Sequence, residues 1–238
     1  MVIVNADDFG LSTQVNDAIK ELFEKKIISS TTLMTNMSGA EEAVQIANDN
    51  GFADSVGLHF NLIEGEPLSE DIRSCGRLCT NGQLSYKRNS ILFFHRDEKK
   101  AICKEFRAQL GKMRQLGLEP SHMDSHQHVH TELAIYLILR KVMKKEKIKA
   151  VRIGRNVGVR KLSIVYKYFL NALIRHDGFR TVDYFNPLNM LLPEKEKSSI
   201  VEYMCHPIRE GDAIIDAFSD YVFNDNSRIN NIKNYRAI

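Results

Sequence analysis

The chain has 238 residues, 43% of them hydrophobic and 26% charged, with a net charge of +3. A composition of this kind is typical of a globular protein with a buried core, and the length is compatible with one domain. The small net charge argues against a nucleic-acid partner, and no apolar run approaches the roughly 18 residues that span a bilayer.

Basic residues concentrate between about 140 and 161, but aromatic residues do not alternate with them as RNA binding requires. The four cysteines lack zinc-ribbon spacing, so we expect free thiols. The chain shows no signal-peptide pattern. These features predict a cytoplasmic protein without a membrane or nucleic-acid partner.

Strand-like and helix-like segments alternate along the chain. Short β-rich runs predict strands at 2–6, 30–36, 55–62, 150–154, 181–187 and 201–207, and one that begins at 120 and breaks into a polar loop by 130. Apolar residues at helical spacing predict helices after Ser12, which is placed as an N-cap, and at 39–49, 98–116, 131–146 and 161–176. A short helix is expected between 187 and 201.

This alternation, with short connections and without hairpin dipeptides, is typical of parallel βαβ units. About seven strands are enough to close or nearly close a barrel over 1–238. The alternative is an open doubly wound sheet. That fold usually has a glycine-rich phosphate turn after its first strand, whereas this chain has ADDFG there.

Acids and histidines gather at the predicted carboxyl ends of the strands, where barrel enzymes carry their functional residues. The set comprises Asp7, Asp8, His59, Asn61, His122, Asp124, His126, His128, His130, Arg152 and His206. Adjacent carboxylates repel each other, but a cation between them and the imidazoles offsets that repulsion. A metal site is therefore expected. The alternative is that Asp8 caps the following helix and Asp7 is solvated.

Individual histidines in this set allow more than one role. His59 is either a metal ligand or an ordinary rim residue, and His122 is a natural ligand from a strand end. His126 and His128 could bind the metal, bind substrate or support other ligands. His206, which precedes a proline, is either a general acid or a plain loop residue.

Five sequence blocks, NADDFGLS, TLMTNM, VGLHFNLIEGEPL, PSHMDSHQHVH and MCHP, occur in this order over most of the chain. Together they resemble the YdjC-like carbohydrate deacetylases, which include the chitooligosaccharide deacetylases. The resemblance implies a deformed, TIM-barrel-like (β/α) barrel of about seven parallel strands, forming one catalytic domain. It also implies hydrolysis of the N-acetyl group of an acetylated amino sugar with release of acetate.

The resemblance further assigns roles to individual residues. It makes Asp8, His59 and His122 the ligands of one divalent metal, Asp7 the catalytic base and His206 a candidate acid. Asn61, His126 and His128 would line the substrate site, and Arg152 would either support other site residues from behind or contact the substrate. Magnesium is the usual metal, but two imidazoles also suit zinc, and the family suggests a homodimer. The chain departs from the pattern at Ile208, where glycine usually follows MCHP, and in its short polar tail.

Two other functions remain open from the sequence. A metal phosphoesterase on a similar barrel would need a second ion and more carboxylates, to which Asp124 could contribute. A catalytically inactive sugar-binding protein would be expected to have lost acids or histidines of the pattern, and all of them are present.

Overall fold

The computed structural model describes residues 1–158, 161–191, 199–224, 229 and 231–238. Its α-helices are α1 Thr13–Glu24, α2 Ala40–Asp49, α3 Glu70–Arg73, α4 Arg96–Gln115, α5 Leu133–Lys145 and α6 Lys161–His176. Its strands are β1 Val2–Phe9, β2 Ser30–Leu33, β3 Val56–Phe60, β4 Cys79–Thr80, β5 Gln83–Leu84, β6 Met123–Ser125, β7 Tyr184–Pro187, β8 Val201–Cys205, β9 Pro207–Glu210, β10 Ala213–Asp216 and β11 Val222–Phe223. Short 3-10 helices cover Ala53–Ser55, His126–Thr131 and Tyr235–Ala237.

The helices follow the apolar periodicity of the sequence. Ser12 caps α1 as predicted, because its hydroxyl accepts a hydrogen bond from the backbone N–H of Val15. The predicted helices at 39–49, 98–116, 131–146 and 161–176 all form, with ends within two residues of the expected ones. The short helix expected between 187 and 201 falls mainly on residues 192–198, outside the described ranges. None of the described helices is long and apolar enough to cross a membrane.

Six strands form one parallel sheet in the order β6-β3-β2-β1-β8-β7. The sheet is curled, and with its helices it confirms the deformed barrel. The predicted strand at 150–154 forms only isolated bridges, between Val151 and Met123 and between Ala150 and Arg180. Its pairing is short because β6 has only three residues before the chain turns into the 3-10 helix.

The interior of the barrel carries charge. Such interiors are usually filled by branched apolar side chains, but here Asp7, Asp124, Arg152 and Glu202 are all at most 1% exposed. The main apolar core lies elsewhere, where the buried faces of the helices cover the sheet. Because isolated buried charges are very costly, the interior groups must be paired with one another.

The polar C-terminal region is more structured than its sequence indicates. Directly after β8, strands β9, β10 and β11 form a separate antiparallel sheet. Further on, Tyr235 is fully buried and its ring stacks on that of His122, with 3.7 Å between ring centroids. The chain end therefore closes one side of the charged interior.

Candidate active site

The two adjacent acids at the end of β1 are both directed toward the site by a backbone irregularity. Asp8 has a φ of +68°, and the pairing of β1 with β2 shifts register between Ala6 and Phe9. In a regular strand, neighbouring side chains would point to opposite faces. The left-handed conformation, which costs a non-glycine residue of order 1–3 kcal/mol, is typical of functional sites.

Asp8 lies between two imidazoles. Its Oδ1 is 3.1 Å from Nε2 of His59 and 2.8 Å from Nδ1 of His126. Burial raises the pKa of Asp8, but hydrogen bonds with His126 and His59 outweigh burial and hold that pKa well below its usual value. An ionised carboxylate and two imidazole nitrogens thus meet at one point of the rim.

His59 is held from behind by a second acid. Its Nδ1 is 2.7 Å from Oδ1 of Asp124 and 3.0 Å from the hydroxyl of Thr32. Burial lowers the pKa of His59, but the charges and hydrogen bonds of Asp124 and Asp8 outweigh it and raise the pKa to about 10. The site therefore favours positive charge. Ligating histidines commonly have such a carboxylate on the other ring nitrogen.

The donor set fits a divalent cation. Asp8, His59 and His126 each offer a ligand atom within 4.8 Å of the others. One carboxylate with two imidazoles leaves coordination positions for water and substrate. His126 is also 2.8 Å, through Nε2, from Oε1 of Glu64, so a partly exposed loop carboxylate borders the same cluster.

A second grouping of acids lies deeper but already has a cation. Asp7, His59 and Asp124 also offer ligand atoms within 4.8 Å of one another. Nη1 of Arg152, however, is 2.6 Å from Oδ2 of Asp7 and 2.5 Å from Oδ2 of Asp124. The guanidinium therefore supplies the positive charge that a second metal ion would otherwise bring.

His206, which directly follows β8, lies between two carboxylates, those of Asp7 and Asp216. Its Nε2 is 3.9 Å from Oδ2 of Asp7, and its Nδ1 is 3.6 Å from Oδ1 of Asp216. Burial lowers the pKa of His206, but the hydrogen bond with Asp216 and the charges of Asp7 and Asp8 outweigh it and raise that pKa. The site thus places an imidazole that favours protonation beside a carboxylate.

The sequence of the whole chain was compared with those of known protein families. The family model described as "YdjC-like protein" matches residues 1–233. The chain belongs to the YdjC-like family. Its sequence blocks had indicated this membership, which is confirmed.

The chain is also similar to proteins named carbohydrate deacetylase. A carbohydrate deacetylase of Vibrio parahaemolyticus is 33% identical over 209 residues, covering 87% of this chain and 77% of the relative. One from Halalkalibacterium halodurans is 34% identical over 227 residues, covering 93% and 90%. A crystal structure of a candidate cellobiose-phosphate cleavage protein of Enterococcus faecalis V583 has a TM-score of 0.67 at 21% identity, covering 88% of this chain and 81% of that one. The last likeness shows the fold.

His122, which the resemblance makes a metal ligand, lies outside the group formed by Asp8, His59 and His126. The strand β6 begins after His122 rather than ending at it, and Leu58 pairs with Met123. His122 therefore lies beside Gly57, one side-chain layer below His59. Its Nδ1 bonds to the hydroxyl of Ser121 at 2.9 Å, and its ring stacks on Tyr235. His126 lies beside Asp8 and His59 instead.

Asn61 and Arg152, predicted as substrate contacts, are both fully buried. The side-chain amide of Asn61 donates to the carbonyl of Glu64 at 2.8 Å, and its oxygen accepts from the N–H of Ile63 at 2.8 Å. Asn61 therefore shapes the loop that carries Glu64. Arg152 is enclosed by the carboxylates of Asp7, Asp124 and Glu202.

The 3-10 helix after β6 separates the histidines that the sequence groups together. His126 meets Asp8, whereas His128 has a φ of +57° and sits edge-on to Phe185, at 5.7 Å between centroids. Burial lowers the pKa of His128 well below its usual value. Its Nδ1 finds no hydrogen-bond partner within the described ranges. His128 is therefore a neutral imidazole with a free ring nitrogen near the other site histidines.

Two acids of the site, Glu64 and Asp216, were not among the residues expected from the sequence, and Asp124 was given no role in the deacetylase site. Asp124 had a signal, because it alternates with His126 and lies opposite His59 in the register of β3 and β6. Glu64 lies in a loop, where periodicity is uninformative. Asp216 reaches His206 only because β9 and β10 fold back on each other, which no local pattern indicates.

Proposed function

We propose that this protein is a metal-dependent carbohydrate deacetylase that removes the N-acetyl group of an amino sugar, such as a chitooligosaccharide, and releases acetate. The observation that carries the proposal is the meeting of Asp8, His59 and His126 at one point, with Asp7 and His206 beside it. The relatives named carbohydrate deacetylase support the same reaction class.

The metal ligands in this proposal are Asp8, His59 and His126. A divalent ion held there would supply Lewis-acid polarisation of the acetyl carbonyl and a more acidic water. Two imidazoles and one carboxylate suit zinc, and the oxygen of Asp8 together with water also suits magnesium. Metal content measured by mass spectrometry distinguishes the two ions.

Asp7 is the proposed general base. Two hydrogen bonds from Arg152 fix the plane of its carboxylate, and Asn5 donates a third at 2.9 Å. A base that is already oriented loses little freedom when it takes a proton from the attacking water. The adjacent position of Asp8 places this base next to the proposed metal ligand.

His206 is the proposed general acid. An amine is a very poor leaving group unless its nitrogen is protonated as the bond to carbon breaks. Asp216 and Asp7 flank the imidazole and favour its protonated form. His206 can therefore deliver a proton to the leaving nitrogen of the sugar while Asp7 accepts one from water.

A metal phosphoesterase is the alternative enzyme. Such enzymes usually hold two ions about 3.5–4 Å apart. The second group of acids in this protein, around Asp7 and Asp124, is bonded to Arg152 instead. A single-ion amide hydrolase is therefore the better fit, and one bound ion per chain is expected.

The decisive experiment is acetate release from diacetylchitobiose by protein stripped of metal and then refilled with magnesium or zinc. Acetate that appears only after refilling supports the proposal and identifies the effective ion. Phosphate release from a phosphoester with two bound ions per chain would favour the alternative. Sugar binding without acetate release would indicate an inactive binding protein.

A further inference from the structure

A turn at residues 217–220 is fixed to the proposed acid His206. The N–H of His206 donates to Oδ1 of Asp216 at 2.7 Å, and its carbonyl accepts from the N–H of Ala217 at 2.9 Å. The N–H of Ser219 donates to the carbonyl of Asp216 at 3.1 Å, and the Ser219 hydroxyl donates to the carboxylate of Asp216 at 2.5 Å. These four hydrogen bonds hold the turn against the backbone of His206.

The turn presents an aromatic ring to solvent beside that imidazole. Phe218 is 75% exposed, and its ring meets the ring of His206 edge to face, with 4.5 Å between centroids and 84° between planes. The neighbouring aromatics on this small sheet instead pack on each other, Tyr221 against Phe223 at 5.2 Å. Phe218 thus contributes little to the core while most of its surface stays open.

The chemistry of the leaving group matches this surface. The nitrogen that receives a proton from His206 is attached to a pyranose ring, whose C–H face is apolar and stacks well on an aromatic ring. The chain has no tryptophan for this purpose, so the platform must come from Phe or Tyr. A flat aromatic ring beside the acid, on a turn held by hydrogen bonds, offers contact area at low entropic cost.

We propose that Phe218 is a substrate-contacting residue on which the sugar carrying the leaving nitrogen stacks. This inference rests on the proposed deacetylase function and adds a specificity determinant to it. The stacked ring would hold the nitrogen near His206, and it would favour acetylated sugars over small acetamides, which have no pyranose face.

The test compares Phe218→Ala with Phe218→Tyr, which keeps an aromatic face, and with Phe93→Ala. Phe93 is a matched control because it is 86% exposed but borders the outer groove between α4 and α5. Binding of diacetylchitobiose to metal-loaded protein is measured by calorimetry, and kcat and KM are measured by acetate release.

We expect Phe218→Ala to weaken binding and raise KM about five- to tenfold with kcat within about twofold, as for the loss of one aromatic contact. Phe218→Tyr and Phe93→Ala should match the wild type. An active wild-type protein whose Phe218→Ala variant binds and turns over equally well would overturn the assignment of Phe218 alone. A wild-type protein that neither binds nor deacetylates the sugar would overturn the proposed function, and the stacking role with it.

Discussion

Arg152 donates two hydrogen bonds to the carboxylate of Asp7, through Nη1 at 2.6 Å and Nη2 at 2.7 Å. Its Nε donates to Glu202 at 2.7 Å, and Glu202 in turn accepts from the hydroxyl of Tyr235. All four side chains are buried. The proposed base is therefore oriented from inside the barrel, by a chain of contacts that ends at the C-terminal 3-10 helix.

Replacing Arg152 should damage both stability and catalysis. In Arg152→Met the three neighbouring carboxylates lose their cation, and breaking a buried pair of this kind costs about 3–5 kcal/mol of unfolding free energy. Arg152→Lys keeps the charge but cannot form the bidentate contact to Asp7, so we expect a smaller loss of stability and a fall in kcat of at least tenfold.

Urea unfolding and acetate-release kinetics measure the two effects separately. Arg88→Lys is a suitable control, because Arg88 is partly exposed and pairs with Glu132 only at 3.6 Å. A lysine variant with wild-type kcat would mean that the orientation of Asp7 does not depend on the guanidinium.

Asp7→Asn should separate catalysis from metal binding. The amide cannot accept the proton of the attacking water, so kcat should fall roughly 10²- to 10⁴-fold, the usual contribution of a positioned base. Metal content by mass spectrometry should be unchanged, because Asp8, His59 and His126 are intact. Asp54→Asn, at an exposed acid, provides the control. A variant that keeps its rate would remove Asp7 from the proposed role.

Alanine substitutions at His126 and His122 should differ in their effects: the first should reduce metal affinity and the second should reduce stability. His126→Ala removes an imidazole that meets Asp8, so metal affinity should fall by more than tenfold. His122→Ala should bind metal like the wild type and lose stability instead, because its ring stacks on Tyr235. Calorimetric titration with zinc and thermal unfolding distinguish the two. Loss of metal in His122→Ala with retention in His126→Ala would restore the ligand set expected from the sequence.

The alternation of strand-like and helix-like segments predicted parallel βαβ units, and the family resemblance predicted the deformed barrel. Helical periodicity located α1, α2, α4, α5 and α6, and short β-rich runs located the six parallel strands. The number of residues that pair between two strands was harder to predict, because it depends on the length of the neighbouring strand. Residues 150–154 form only isolated bridges, because the adjacent strand β6 is too short to pair further. The β9–β11 sheet follows a polar sequence whose register is set by tertiary contacts.

The candidate site was predictable where residues lie at the carboxyl ends of long strands. Asp7, Asp8 and His59 fall where the barrel rule places them: Asp8 and His59 meet His126, and Asp7 belongs to the neighbouring group with His59 and Asp124. The sequence does not reveal where β6 begins, so it does not show whether His122 or His126 lies next to Asp8 and His59. Strand β6 covers the three residues that follow His122, and His126 comes directly after its end, so the position of this short strand decides which histidine lies at the rim.

The pH dependence of kcat/KM should change when Asp216 is replaced. Its contact with His206, together with the charges of Asp7 and Asp8 on β1, raises the pKa of the imidazole above the ordinary 6.5. A required protonated acid is lost as pH rises through that pKa, so kcat/KM should decline on the alkaline side. Asp216→Asn removes one of these charges, lowers the pKa of His206 and should move this decline to lower pH.

The raised pKa also has a consequence for folding. A protonated His206 stabilises the folded state below the unfolded pKa of 6.5, and this contribution is lost as pH rises through the folded pKa. Asp216→Asn should therefore reduce the stability difference between acidic and alkaline solution. Asp220→Asn, an exposed acid on the same turn, should change neither profile. If the decline of kcat/KM stays in place in Asp216→Asn, a group other than His206 donates the proton to the leaving amine.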